Sequence, residues 1–193
     1  MDLVKQNILD IIGNSNKINC IIQSIKGIDR ENLFLTGGSL RNIIWNNLHY
    51  YSEEYELEDC DIIFYNSTEL TKDYEESIKN RLEYLNPNFK WSVKNQARMH
   101  IRNGHAPYNG IYGALKAFPE TCSAVAIDQN LNIVAPYGLN DLYNLTVSPT
   151  QFCIDNEIAV YDRRLRQKKW INKWMHLKFG NNTHVNSCFA ILW

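Results

Sequence analysis

The chain has no C-x-x-C pair: its five cysteines stand apart at 20, 60, 122, 153 and 188. No secretory apolar region opens it, so reduced thiols in a cytoplasm are expected. No apolar run approaches the length needed to cross a bilayer, which removes a membrane from the expected partners. Asn-Ser-Thr at 66–68 and Asn-Leu-Thr at 144–146 then match glycosylation acceptors by chance. Repeats and low-complexity segments are missing too. Acidic residues run out after Asp162.

That last absence hides inside a formal net charge of −1. Thirteen of the twenty Lys and Arg share residues 1–162 with all twenty-one carboxylates, a balance of −8; the other seven lie beyond, a balance of +7. The expected helix over about 156–179 is therefore a cationic element on an acidic body. Its apolar positions, Ile158, Tyr161, Leu165, Trp170, Ile171, Trp174 and Leu177, suffice to dock it on a core. Interleaved Arg and Trp also fit RNA, by phosphate contact and stacking. With 45% hydrophobic and 12% aromatic residues, 193 positions predict one domain over 1–193. Its core spans about 28–147, N-terminal helices cover 2–26, and the basic helix follows.

The chemistry concentrates in two stretches. Leu33–Thr36 is a short apolar strand, Gly37 and Gly38 let backbone approach a ligand, and Leu40–Leu48 has helical periodicity. A phosphate suits that helix's N-terminus, with Ser39 as cap and donor and Arg41 as a second charged contact. About twenty residues on, Asp59 and Asp61 flank Cys60 ahead of the buried run Ile62–Tyr65. Residues two apart on a strand share a face, so both carboxylates can converge on one hard cation, Mg2+ or Mn2+. A Gly-Gly pair is more often a plain turn, and an Asp-x-Asp pair more often a solvated strand end. Their order and separation make the nucleotide reading competitive.

From Lys90 to Arg102, polar and cationic residues (Lys90, Ser92, Lys94, Gln96, Arg98, His100, Arg102) alternate with Trp91, Val93, Asn95, Ala97, Met99 and Ile101. This is the pattern of a strand with one buried face and one row of cations. Lys94 and Arg98 would neutralise phosphate, and Asn95 or Gln96 would read a base or sugar; a solvated sheet face is the plainer alternative. Elsewhere the pattern predicts helices over 2–12 with Gly13 as stop, 16–26, 71–85 and 112–117. It also predicts a loop over 103–110 and a hairpin over 121–135, with Asp128 at the hairpin turn. Asp141 orders the turn after Gly138. Glu53, Glu54, Glu56 and Glu58 form a solvated run.

The segments Gly37–His49, Leu57–Tyr65, Trp91–His100, Pro119–Thr121 and Ala135–Tyr143 together resemble the bacterial nucleotidyltransferase-like family of the DNA polymerase beta-type superfamily. The resemblance covers roughly residues 33–177, and the 94–100 string is its most specific part. It implies an α/β (α+β) fold, a nucleotidyltransferase-type mixed sheet flanked by helices. It further implies metal-binding carboxylates and transfer of a nucleotidyl group from a nucleoside triphosphate to a hydroxyl or amine. Superfamily enzymes usually carry a third carboxylate on a later strand, and the strand expected at 89–96 has none.

Three readings follow. The first is a nucleotidyltransferase with Asp59 and Asp61 as catalytic and metal residues, and Gly37, Gly38, Ser39, Arg41, Lys94, Asn95, Gln96 and Arg98 on the nucleotide. The second is a catalytically impaired nucleotide-binding protein. The third is an RNA- or partner-binding module built on the basic helix.

Overall fold

A computed structural model describes residues 2–29, 31–52 and 59–180. The acidic run at 53–58 and residues 181–193, with Cys188, lie outside the described residues. The chain begins with α1 (Leu3–Asn14) and α2 (Asn16–Lys26). Gly13, the expected stop, lies within α1, while Ser15 both ends it and caps α2, its Oγ accepting from the Ile18 N–H at 3.2 Å. A side chain that competes for backbone groups thus ends α1 two residues later than a permissive glycine would.

β1 (Phe34–Thr36), α3 (Gly37–Leu48), β2 (Cys60–Phe64), α4 (Lys72–Leu85) and β3 (Trp91–Asn95) carry the chain from the middle of the sheet to one edge. α5 (Gln96–Asn103) and α6 (Gly110–Lys116) precede the hairpin of β4 (Ala126–Asp128) and β5 (Ile133–Val134). The sheet is mixed, in the order β3-β2-β1-β4-β5, with β2 parallel to β3 and the other pairs antiparallel. Asp128 holds the hairpin as expected, its carboxylate accepting from Asn130 N–H at 2.7 Å and Asn132 N–H at 2.9 Å.

The long cationic strand is not there. Its first half is β3, and the second half is α5, because Asn95 turns the chain and its side chain accepts from the Ala97 N–H. An asparagine that satisfies an orphan helix N–H outweighs a period-two pattern that depends on charge alone.

After α7 (Asn140–Tyr143) and β6 (Thr146–Val147), the tail is also shorter in its elements than expected. α8 (Gln151–Asn156) and α9 (Ile158–Lys168) replace a helix over 156–179, with breaks at Glu157 and at Lys169, whose φ is +46°. Trp170–Asn172 forms a 3-10 turn, and β7 (Lys178–Phe179) pairs in parallel with β6. The basic helix is therefore α9, carrying Arg163, Arg164, Arg166 and Lys168.

The tryptophans anchor the tail. Trp170 and Trp174 meet the fully buried Trp45 of α3 edge-on, with centroids 5.9 and 5.2 Å away. The Trp174 indole N–H donates to Asn46 Oδ1 at 2.9 Å. His49 adds a strap, its Nδ1 bonded to the Trp45 carbonyl and its Nε2 accepting from the His176 N–H. Edge-to-face rings and satisfied polar atoms fix this region to the body.

Candidate active site

Gly37 leaves β1 and begins α3 with φ +61°, a conformation that side chains resist. The space matters as much as the angle. A Cβ at Gly37 would stand 3.3 Å from Asp61 Oδ2, and one at Gly38 would stand 3.9 Å from the same oxygen. The turn and the carboxylate strand therefore face each other. Ser39 locks this approach: its hydroxyl donates to the Thr36 carbonyl at 3.1 Å and accepts from the Asp61 N–H at 2.7 Å. Ser39 is thus a strut between α3 and β2 instead of the helix cap, which is Thr36.

Asp61 lies opposite Ser92 in the β2–β3 register and receives its hydroxyl. Burial, and next the like charge of Asp59, push the Asp61 carboxyl above its ordinary value, while Ser92, Arg41 and Lys168 pull it back. A partly buried carboxylate whose proton affinity is raised by desolvation and by a neighbouring like charge is a natural seat for a cation.

Asp59 precedes β2 and is paired with Lys90 at 2.6 Å on the surface. It lines an adjoining groove of about 910 Å3, whereas Asp61 lines a hollow of about 310 Å3 with Gly37, Gly38, Ser92, Lys94 and Gln96. Ser92 and Lys94 belong to both.

The other expected ligand residues divide. Lys94 and Gln96 reach the hollow. Arg41 is buried beneath the turn, its guanidinium 4.8 and 4.4 Å from the rings of Trp45 and Trp170 and donating to Ser123 Oγ at 2.6 Å. There it acts on the site by its charge at Asp61, not as a surface contact. Asn95 is fully buried. Its Oδ1 accepts from the Asn66 and Ala97 N–H groups, and its Nδ2 donates to the Asn66 and Glu69 carbonyls. Arg98 forms a fork on the buried Glu75, with Nη2 2.8 and 2.7 Å from its two oxygens. Both hold the β3–α5 junction together, and neither lines the hollow of Asp61, though Arg98 lines the groove of Asp59.

One carboxylate escaped sequence reasoning. Glu120, at 0% exposure, lines the same hollow and is paired with Arg164 of α9 at 2.5 Å. Its only signal in the sequence was the Pro119–Thr121 string, since an isolated Glu ahead of a 3-10 turn has no spacing pattern. Among the described residues no cluster of three or more His, Cys, Asp or Glu has the geometry of a metal site. Mg2+ keeps several waters and takes one or two carboxylates alongside substrate phosphates, a demand within the reach of Asp61 with the like charge of Asp59 beside it.

A glycine turn that opens a helix and is set against a carboxylate strand of a mixed sheet places free helix N–H groups beside an acidic side chain. The sequence model of a family described as Nucleotidyltransferase matches residues 23–179, and the chain belongs to that family of transferases.

No curated protein matches the chain in sequence. A solved structure described as revealing a CCA-adding enzyme head domain is 32% identical, with a TM-score of 0.79; the match covers 92% of this chain and 96% of that one. A Thermotoga maritima CCA-adding enzyme complexed with tRNA matches at 12% identity and TM-score 0.55, over 92% of this chain. A CCA-adding enzyme with CTP matches at 12% and 0.56, over 93% of this chain. The last two share the fold, and this chain spans under half their length, 43% and 44%. Among the described residues no helix is long and apolar enough to cross a membrane.

Proposed function

We propose that this chain transfers a nucleoside monophosphate from a nucleoside triphosphate to a hydroxyl or amine acceptor. The observation that carries the reading is the approach of Gly37 to Asp61 Oδ2, which brings an anion cradle and a cation seat to one hollow. Gly37 and Gly38 offer backbone N–H groups at the start of α3 to the phosphates, and Lys94 adds a mobile cation. Asp59 and Asp61 would hold Mg2+ or Mn2+, which when bound screens the phosphate charges.

In the transfer, the acceptor oxygen or nitrogen attacks the α-phosphorus. The bond from that phosphorus to the bridging oxygen breaks, diphosphate leaves with the electron pair, and the acceptor's proton passes to water at the open side. The residues contribute position and charge compensation. Ser39 keeps Asp61 aligned with the turn, and Arg41 offsets the carboxylate charge from below. The acceptor remains a class, with RNA among its members. The free, buried thiols of Cys60, Cys122 and Cys153 support a reducing compartment, the cytoplasm, as the place of action.

Incubation with each labelled triphosphate, Mg2+ or Mn2+ and cell extract tests this reading. Label should enter a protein, an RNA or a small molecule, and Asp59→Asn with Asp61→Asn should abolish it. A second reading, nucleotide binding without turnover, is favoured by Ser92, which stands across from Asp61 and supplies no third carboxylate. Calorimetric nucleotide binding with no label transfer would select it.

A further inference from the structure

The cationic tail was the one sequence feature without a place in the reaction, and α9 carries it to the site. Arg164 lines the hollow together with Gly37, Gly38 and Asp61. Lys168 lies one helical turn further on, so both side chains leave α9 on one face. The charge of Lys168 is felt at Asp61. The helix's apolar side, with Tyr161 buried and Ile158 and Leu165 packed on the core, fixes that face toward the hollow.

We propose that Arg164 and Lys168 receive the outer phosphates of the bound nucleoside triphosphate, the part that leaves as diphosphate. This rests on the nucleotide reading given above and extends it to residues outside the glycine turn. Glu120 engages Nε and Nη2 of Arg164. A guanidinium has five donors, so Glu120 aims the fork while donors remain for a phosphate. The Arg164 side chain is 33% exposed against 0% for Glu120, so the carboxylate is sealed and the guanidinium reaches the open space. The glycine turn, Asp61 and Arg164 then line one hollow, in which α9 meets the charge that grows on the leaving oxygens.

The alternative is that the Arg164–Glu120 pair only fastens α9 to the body. Calorimetric titration of the full chain with one nucleoside as its tri-, di- and monophosphate, with Mg2+, separates the two. For Arg164→Gln, triphosphate affinity should fall about tenfold or more, since a hydrogen bond to a charged group is worth about 1.5–3 kcal/mol. Monophosphate affinity should stay near that of the unaltered chain. Lys168→Gln, at an exposed position, should lower triphosphate affinity in the same selective way. Equal losses for all three nucleotides, or none, would overturn the assignment while leaving the nucleotide reading intact. An unaltered chain that binds no nucleotide would overturn both.

Discussion

The hollow at the glycine turn and the junction between β3 and α5 hold similar inventories of polar residues, yet they differ in what those residues already have. At the junction, Asn95 satisfies four partners, and Arg98 saturates Glu75 with Lys94 3.7 Å away. In the hollow, Asp61 is crowded by Asp59, raised in proton affinity, and faced by backbone with room for no side chain. A polar residue whose needs are met inside the fold supports structure. One held in a costly state, with space before it, is poised for a ligand.

The sharpest break of this contrast would come from Arg98. Replacing it by Met leaves the buried Glu75 with only the Asn95 N–H and the distant Lys94, which should cost about 3–5 kcal/mol of stability by chemical denaturation. Nucleotide affinity of the folded fraction should hold. Asn95→Ala should follow at about 3 kcal/mol, because it strands buried backbone groups at the start of α5, again without a change in nucleotide affinity.

Gly37→Ala should behave the other way. The left-handed φ costs about 1–2 kcal/mol, and the added methyl enters the space beside Asp61 Oδ2, so thermal stability falls modestly while nucleotide binding by calorimetry is lost.

The smallest effect has the opposite sign. The Asp61 pKa is raised on folding, so its ionisation works against the fold. Relative stability from this group is full below its ordinary value of 3.8 and is lost as pH rises through the raised value. In chelator-treated protein, Asp61→Asn should therefore melt above the unaltered chain at neutral pH, and that advantage should vanish below about pH 4. A neutral residue that stabilises a site while abolishing label transfer is the signature of function held against stability.

The contrast also explains what the sequence made legible. β1, the glycine turn, β2 and α2 were readable because apolar runs and glycine report local geometry directly; the span of α2, Asn16–Lys26, matches. The β3–α5 switch was not, because Lys94, Gln96, Arg98, His100 and Arg102 alternate in sequence whichever structure they adopt. Only the reach of Asn95 to the Ala97 N–H, a cap that competes with the ladder, decides it. The break at Lys169 depends on Trp170 and Trp174 seating against Trp45, a contact more than a hundred residues away along the chain. Of the candidate site, the facing of the glycine turn and the Asp61 strand was legible in their order and separation. Glu120 and Arg164 were not, since their partnership exists only once α9 folds over the 3-10 turn at Thr121–Ser123.

The central claim is that Asp61 and the glycine turn form one seat for a metal-bound nucleotide. Titrating Mn2+ while following the free ion by electron paramagnetic resonance, with and without a nucleoside triphosphate, tests it directly. The unaltered chain should take up Mn2+ far more tightly when the nucleotide is present, and both Asp61→Asn and Gly37→Ala should abolish that gain while Arg98→Met keeps it. Uptake indifferent to the nucleotide, or equal in Asp61→Asn, would contradict the account.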